Sequence, residues 1–218
     1  MLDLFHIAKP QGCDIQTFYG DGAVSTVVKQ SWVKPRGVSH VYILMIGAGG
    51  NGTGTVGGGS GAVTVWYGAA QNVPDILFPI PGRGQGEDTR LGFKGSSGTI
   101  VAVLTAGSAA SSGTAGAAGT ANYFAASGYF QSTAGQAGNS GAISASSTTF
   151  LSGGSNGTTV ANYGYSQDNG SGIFQMQPII VGLGGAFNGN GGIGCGGGSG
   201  SPSNGAVGGR GMILIASW

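Results

Sequence analysis

Charged residues and cysteines are scarce in this sequence, and their scarcity excludes several classes of protein. Only 7% of the 218 residues are charged and the formal net charge is +1, whereas about a quarter of a typical soluble domain is charged. A protein that binds nucleic acid carries a basic surface, and this composition does not provide one. Two cysteines, Cys13 and Cys195, are too few for a disulfide framework or a cysteine metal cluster. We expect no nucleic-acid partner and no metal site.

Long apolar runs are also missing. No stretch approaches the ~18 apolar residues that a membrane helix needs. The N-terminal residues MLDLFHIAKP contain an early acidic residue and lack the long apolar core of a secretory signal. We therefore expect a protein that is made and assembled without membrane insertion or export.

Glycine, in contrast, is abundant, with 49 copies in the chain. Ordering each glycine costs about 0.5–1 kcal/mol relative to alanine, so the total opposes folding by a few tens of kcal/mol. Such a cost is tolerable where the missing side chains let backbones approach closely, or where other subunits support the fold. We therefore expect a homo-oligomer, with a trimer as the first choice, or a component of a larger particle.

Short apolar segments bounded by turn residues predict an all-β fold. Residues 41–46 form an apolar run that passes directly into glycine, as a buried strand followed by a turn does. Ile76–Ile80 contains a proline, which predicts an edge strand. Residues 83–94 hold five of the fifteen charged residues, which favours a solvated loop. Further strands are predicted at residues 15–28 (two pieces), 61–67, 99–105 and 212–218.

Beyond residue 106 the glycines recur at a spacing of three. Three residues per turn is the period of the polyproline-II helix, whose glycine face can pack against a neighbouring chain segment. We expect short polyglycine or polyproline-II helices, and Asn-Gly pairs supply tight turns between them. The glycines that follow this spacing are Gly113, Gly116, Gly119, Gly135, Gly138, Gly141, Gly182, Gly185, Gly191, Gly194, Gly197 and Gly200.

The chain divides into an arm and one domain. Residues 1–15 lack periodicity and are interpreted as an N-terminal arm, either an attachment segment or a frayed terminus. Residues 16–218 are predicted to form a glycine-rich β-sandwich domain, with a variable loop region at about 106–204.

Two patterns suggestive of catalysis or cofactor binding are weak. Residues 47–52 (GAGGNG) match the dinucleotide-binding glycine pattern, but no helix-forming segment follows and no acidic residue lies between Asp21 and Asp75. We expect no cofactor. Asp75, Glu87 and Asp88 are candidates for a glycosidase carboxylate pair, but surface acids are the more common explanation, so we expect no enzyme.

The two histidines carry no recognisable site. His6 and His40 lack cysteine or acidic neighbours at the spacing of a metal site or a catalytic triad. We expect His40 on the outward face of a strand.

Aromatic side chains among glycine and serine are the candidate contact residues. Such rings give rigid, amphipathic contacts on adaptable backbone, as in antibody loops, and they stack on the apolar faces of sugars. The alternative is that they fill gaps left by glycine. Asp168, alone in a charge-free region, is either a turn residue or a further contact. The aromatic candidates are Tyr123, Phe124, Tyr129, Phe130, Tyr163 and Tyr165.

Several landmarks occur in the order found in one known family. Residues 32–38 (WVKPRGV) lead into 41–50 (VYILMIGAGG), and residues 79–84 (PIPGRG) and 88–93 (DTRLGF) follow. The chain ends on a glycine–aliphatic–tryptophan strand at 208–218. In these features it resembles the glycine-rich domain of bacteriophage tail-fibre and spike proteins.

The resemblance implies a jelly-roll-like β-sandwich in the virion, assembled in the bacterial cytoplasm. It implies partners among other virion proteins and a host surface glycan or protein, and a role in host recognition. The position on the particle stays open between tail fibre, spike, head fibre and minor capsid protein. Two other functions also stay open: an architectural role without receptor binding, and a glycine-rich ice-binding protein.

Overall fold

The computed structural model describes residues 13–20, 30–84, 86–109, 113–122, 127–138, 151, 153, 190–199 and 206–218. Within them the chain forms nine β-strands and one 3-10 turn (Ala70–Asn72), and no α-helix. The strands are β1 (Asp14–Tyr19), β2 (Trp32–Val33), β3 (His40–Ile46), β4 (Val63–Ala69), β5 (Ile76–Ile80), β6 (Thr89–Lys94), β7 (Ile100–Ala106), β8 (Gly128–Thr133) and β9 (Met212–Ser217).

The strands form two antiparallel sheets. The five-stranded sheet has the order β1-β9-β3-β4-β8, and the four-stranded sheet has the order β2-β5-β6-β7. The two sheets pack face to face across one hydrophobic core. The predicted fold class, an all-β sandwich, is confirmed.

The core between the sheets is built by residues that alternate along each strand. Ile43 of β3 lies opposite Trp66 of β4 and Ile215 of β9, and all three are fully buried. Trp32, Leu77 and Leu91 cover them from the other sheet. This alternation of period two is what a strand produces when one face is buried.

The second face of the five-stranded sheet is also apolar. Tyr42, Ile46 and Leu214 point away from the first core and cluster with Leu151 and Cys195. Consequently every residue of β9 is buried. A strand that is buried on both faces reads as a continuous apolar run, which explains the sequence of residues 212–216.

The prediction that Ile76–Ile80 is an edge strand is wrong. In the structure β5 lies between β2 and β6. Its pairing with β2 involves only Leu77 and Ile76, so Pro79 lies beyond the end of β2. Because that side of Pro79 has no strand partner, the missing N–H of proline costs no ladder hydrogen bond.

The prediction of a solvated loop at residues 83–94 is wrong for its second half, which forms β6. Leu91 is fully buried and Phe93 packs against the core, so the apolar residues alternate with charged ones. The hydroxyl of the buried Thr89 donates a hydrogen bond to the Ile46 carbonyl at 2.7 Å and accepts one from the Gly82 N–H at 3.0 Å. The charged residues in this strand occupy its exposed face.

Two further expectations concern residues that the structure describes only in part. The variable region at about 106–204 contains β8, a strand that the sequence pattern did not predict. The proposed arm lies mostly outside the described residues, and β1 begins at Asp14. The glycines Gly141, Gly182, Gly185 and Gly200 also lie outside them.

At one end of the five-stranded sheet, glycine-rich segments pack side by side as a unit that we call the glycine bundle (residues 47–52, 57–62, 113–119, 135–138, 191–198 and 206–211). The amides of Gly49 and Gly52 donate to the carbonyls of Gly209 and Ala206 at 2.7 and 2.9 Å. Successive hydrogen bonds between the two segments are thus three residues apart on each segment. Three residues per turn is the period of the polyproline-II helix, which has no hydrogen bonds within itself. The same step of three joins Gly58 and Gly61 to Gly197 and Gly194, and Gly135 and Gly138 to Gly116 and Gly113.

Close approach of backbones explains why glycine is required in the bundle. A Cβ atom added at Gly49 would lie closer than 3.0 Å to the carbonyl group of Cys195, a separation that real Cβ atoms essentially never show. Most other glycines of the bundle would meet backbone atoms in the same way. Because the neighbouring atoms belong to the backbone rather than to flexible side chains, the clash can be removed only by moving the backbone.

We predict that Gly49→Ala destabilises the protein strongly. Overpacking against backbone should cost about 3 kcal/mol, which lowers the melting temperature by roughly 6–12 °C for a chain of this size. The matched control is Gly84→Ala, because nothing lies within 4 Å of a Cβ at Gly84, and its melting temperature should stay close to wild type. Equal melting temperatures for the two variants in a thermal scan would contradict the close-packing explanation.

A second prediction concerns Tyr42, whose burial raises its pKa to about 12. Below pH 10 the phenol is neutral in both the folded and the unfolded chain, so it does not change stability. Between pH 10 and 12 only the unfolded chain ionises, and the free energy of unfolding should fall by about 1.4 kcal/mol per pH unit. Denaturant unfolding at pH 9, 10, 11 and 12 should show a shallower loss for Tyr42→Phe, whereas Tyr129→Phe should follow wild type. A Tyr42→Phe curve parallel to wild type would contradict the prediction.

Candidate functional site

Two of the seven candidate contact residues lie in the described part of the chain. Tyr129 and Phe130 are the second and third residues of β8, at the edge of the five-stranded sheet. The other five candidates, Tyr123, Phe124, Tyr163, Tyr165 and Asp168, lie outside the described residues.

The alternation of β8 separates the two described candidates. Tyr129 points to the outer face of the sheet and is 57% exposed. Phe130 points inward and packs against the core between the sheets. Only Tyr129 of this pair is therefore available to a partner, and Phe130 fits the alternative reading, in which an aromatic ring fills space in the core.

Tyr129 has aromatic neighbours that were not among the candidates, although His40 was expected on an outward face. Tyr67 of β4 lies directly opposite Tyr129 in the strand register and is 37% exposed. Its ring lies 5.6 Å from the ring of His40 and 5.9 Å from that of Trp218, measured between centroids. We call these four residues, Tyr129, Tyr67, His40 and Trp218, the aromatic surface.

Three rings of the aromatic surface, those of His40, Tyr67 and Trp218, are nearly parallel. The planes of His40 and Tyr67 differ by 10°, those of Tyr67 and Trp218 by 17°, and those of His40 and Trp218 by 22°. These three rings stack on one another at about 6 Å between centroids, so each restricts the movement of its neighbours. Aromatic groups arranged in this way offer a large amphipathic contact area with little loss of side-chain entropy on binding.

Backbone hydrogen bonds hold the C-terminal tryptophan in this surface. The amides of Ser39 and His40 donate to the Trp218 carbonyl at 2.7 and 2.9 Å, and the Trp218 amide donates to the His40 carbonyl at 3.1 Å. The Ser39 hydroxyl donates to the same Trp218 carbonyl at 3.1 Å and lies 3.0 Å from His40 Nδ1. The end of the chain is thereby fixed to the start of β3.

A tryptophan on the inner face sets the position of β8. Gly68 and Gly128 lie opposite each other in the register of β4 and β8. A Cβ at either glycine would come within 3.0 Å of the Trp66 ring. The two glycines therefore make room for the indole beneath the sheet, and β8 lies close enough to β4 to bring Tyr129 beside Tyr67.

A lysine holds the turn that follows β4. Lys34 Nζ donates to the carbonyls of Val73 and Ala70 at 2.7 and 3.2 Å and forms an ion pair with Asp75 at 2.9 Å. The lysine of the WVKP segment thus fixes the 3-10 turn next to the aromatic surface. The Asn72 side chain donates to the Ser127 carbonyl at 3.2 Å and joins the same turn to the start of β8.

The glycine segment that resembles a dinucleotide-binding pattern has a structural role. The amides of Gly47, Gly49, Gly50 and Gly52 all donate to backbone carbonyls of neighbouring segments. In the dinucleotide-binding fold these amides and a following helix face a pyrophosphate. Here the segment continues into the glycine bundle.

The three acidic residues considered for catalysis all have basic partners. Asp75 pairs with Lys34, Glu87 with Arg83, and Asp88 with Arg90. Within the described ranges there is no group of three histidine, cysteine, aspartate or glutamate residues that could hold a metal ion.

Comparisons of the sequence supply no family for this arrangement. None of the helices in the described part of the chain is long and apolar enough to span a membrane. Protein-family models and curated proteins were compared with the chain, and no match was found among either.

Proposed function

We propose that this chain is a bacteriophage virion protein, displayed on the particle as a spike, fibre or head-fibre component, and that it serves host recognition. The observation that carries the proposal is the aromatic surface, where Tyr129 and Tyr67 are exposed side by side on neighbouring strands. Exposed clusters of large apolar residues on a folded protein mark interaction sites more often than isolated ones do. The ordered landmarks of the fibre and spike family support the same function.

The position of the aromatic surface suits attachment. It lies at the end of the five-stranded sheet where β3 and β8 begin, and the glycine bundle lies at the opposite end, where β3 and β8 finish. A contact surface on strands is held more rigidly than one on loops. We propose that the rings contact a glycan or protein of the host cell by non-covalent stacking, with no enzymatic step.

We further propose that several copies act together as a homo-oligomer, with a trimer as the first choice. Val33 on β2 and Ile76 on β5 lie directly opposite each other, and the two residues are 60% and 48% exposed, respectively. This cross-strand pair is a candidate contact with a second copy or another virion protein. Display of several copies raises overall avidity without any new contact per copy.

We predict that Tyr67→Ala and Tyr129→Ala each weaken binding of the purified protein to host cells about tenfold, because exposed tyrosines at contact centres are frequent energetic hot spots. The matched control is Val207→Ala, which truncates an exposed apolar side chain within the glycine bundle and should leave binding unchanged. Melting temperatures of Tyr129→Ala and Val207→Ala should match wild type, and Tyr67→Ala, which loses the ring contacts with His40 and Trp218, should melt a few degrees lower. Unchanged cell binding by both tyrosine variants would exclude the aromatic surface as the receptor contact.

The location of the chain on the particle separates attachment from architecture. Mass spectrometry of purified virions should detect the protein, and antibody-gold labelling should place it at exposed spikes or fibre tips. Even labelling of the shell, together with intact adsorption of the tyrosine variants, would favour an architectural protein without a receptor. Absence from virions would overturn the proposal.

One specific observation favours ice binding as a second candidate. Thr114 and Ala117 are exposed at a spacing of three on one glycine segment, and Ala134 and Ala137 are exposed at the same spacing on its neighbour. Hydrogen bonds from Gly135 and Gly138 join the two segments. A row of small residues on adjacent antiparallel segments is the kind of flat face that ice binding needs. A thermal-hysteresis assay tests this candidate, and freezing and melting points that coincide would exclude it.

A further inference from the structure

A second surface feature lies at the other end of the molecule, where β1, β5 and β6 meet the glycine bundle. It is an open cleft of about 280 Å³, near the lower end of the range for small-molecule sites. The amide of Gly20 donates to Gly211 and the amide of Gly211 donates to Gly82, so three segments are tied together at its base. The side chains that line it include Tyr19, Ile80, Arg83, Glu87, Asp88 and Arg90.

One wall of the cleft is a fixed ion pair. Arg83 donates from Nε and Nη2 to the two carboxylate oxygens of Glu87 at 2.8 and 2.6 Å. This bidentate geometry is the strongest form of an arginine–carboxylate contact. The hydrogen bonds from Arg83 lower the pKa of Glu87 below its ordinary value, so the carboxylate stays ionised and continues to neutralise Arg83.

The cleft is also lined by Arg90 of β6, whose guanidinium lies beyond hydrogen-bond distance of Asp88. Asp88 Oδ1 accepts a hydrogen bond from the Ser108 amide at 2.9 Å, which fixes that carboxylate. The distance from its Oδ2 to Arg90 Nη2 is 3.8 Å, too long for a hydrogen bond. The Arg90 side chain is 56% exposed, and its guanidinium carries a fork of N–H donors suited to a planar anion.

The rim of the cleft adds an aromatic ring and a third arginine. Tyr19 is exposed at the end of β1, and the Arg210 guanidinium carbon lies 5.7 Å from the centre of its ring. Arg210 Nη1 also donates to the Gly20 carbonyl at 3.1 Å, which holds it in place. Three arginines against two carboxylates leave an excess of one positive charge here, although the sequence as a whole is poor in charge.

We propose that this cleft binds an anionic sugar, with the ring of Tyr19 against an apolar sugar face and Arg90 on the carboxylate or phosphate of the sugar. Glu87 and Asp88 present acceptor oxygens for sugar hydroxyls beside the two fixed arginines. A neutral sugar would give the Arg90 donors no charged acceptor at hydrogen-bond distance, whereas a carboxylate or phosphate matches their fork. This proposal deepens the attachment function by adding a saccharide site that is remote from the aromatic surface.

The test is chemical-shift titration of the full-length, isotope-labelled protein with four probes. A hyaluronan tetrasaccharide carries glucuronate carboxylates, and chitotetraose is its neutral counterpart. Glucose 6-phosphate and glucose form the matched pair for phosphate. The anionic member of at least one pair should shift the amides of Gly20, Gly82 and Gly86, and its apparent affinity should fall as salt is raised.

Variants make the assignment specific. Arg90→Gln should weaken binding of the anionic probe about tenfold, as expected for loss of a charge-assisted contact. Lys94→Gln removes a positive charge from the other end of the same strand and should leave the affinity unchanged. Shifts of these amides that are absent, that are equal for neutral and anionic probes, or that are insensitive to Arg90→Gln would overturn the proposal.

The outcome is separable from that of the proposed function. The titration uses no virion and no cell, so the cleft can bind anionic sugars even if the chain proves absent from particles. Conversely, cell binding that is lost in Tyr129→Ala but kept in Arg90→Gln, with no titration response, would keep host attachment and reject the cleft.

Discussion

Direct packing of backbone on backbone in the glycine bundle is the constraint on which the rest of this structure depends. The bundle has few side chains to bury, so its cohesion comes from N–H···O=C hydrogen bonds that repeat every three residues between neighbouring segments. These segments are continuous with strand ends. Gly47 follows β3, Ala62 precedes β4 and Gly211 precedes β9, so the hydrogen-bonded glycines fix where those strands begin and end. The conformational cost of ordering glycine is met in this region by satisfied backbone groups rather than by apolar burial.

This arrangement places two different surfaces at opposite ends of the five-stranded sheet. Away from the bundle, the aromatic surface around Tyr67 and Tyr129 offers ring faces and little charge. Beside the bundle, the cleft at Arg83 and Arg90 gathers arginines and carboxylates in a chain that has few of either. Both surfaces rest on strands whose inner faces are packed in the core, and a recognition site gains affinity when its residues are positioned before the ligand arrives.

Local patterns were sufficient for most of the strands and insufficient for three features. The apolar runs that became β3, β7 and β9 were visible because burial of a strand face imposes its period on the sequence. The proline of β5 suggested an edge strand. However, β2 is so short that no β2 residue lies opposite Pro79, and no ladder hydrogen bond is lost there. The charged residues of β6 suggested a loop, yet Leu91 and Phe93 alternate with them and enter the core. β8 is half polar, with Gln131, Ser132 and Thr133 together in its second half, so only its partner β4 identifies it as a strand.

The sequence by itself determined the all-β class, the approximate limits of most strands and the three-residue period of the glycines. Each of these follows from short-range geometry, which side-chain alternation and glycine spacing record directly. Only the tertiary structure decided that Tyr129 faces outward while Phe130 faces the core, that Trp218 stacks with His40 and Tyr67, and that Tyr19 and Arg90 line the same cleft. Those outcomes depend on strand register and on contacts between residues far apart in the chain, and a shift of one residue in register reverses which side chains face the solvent.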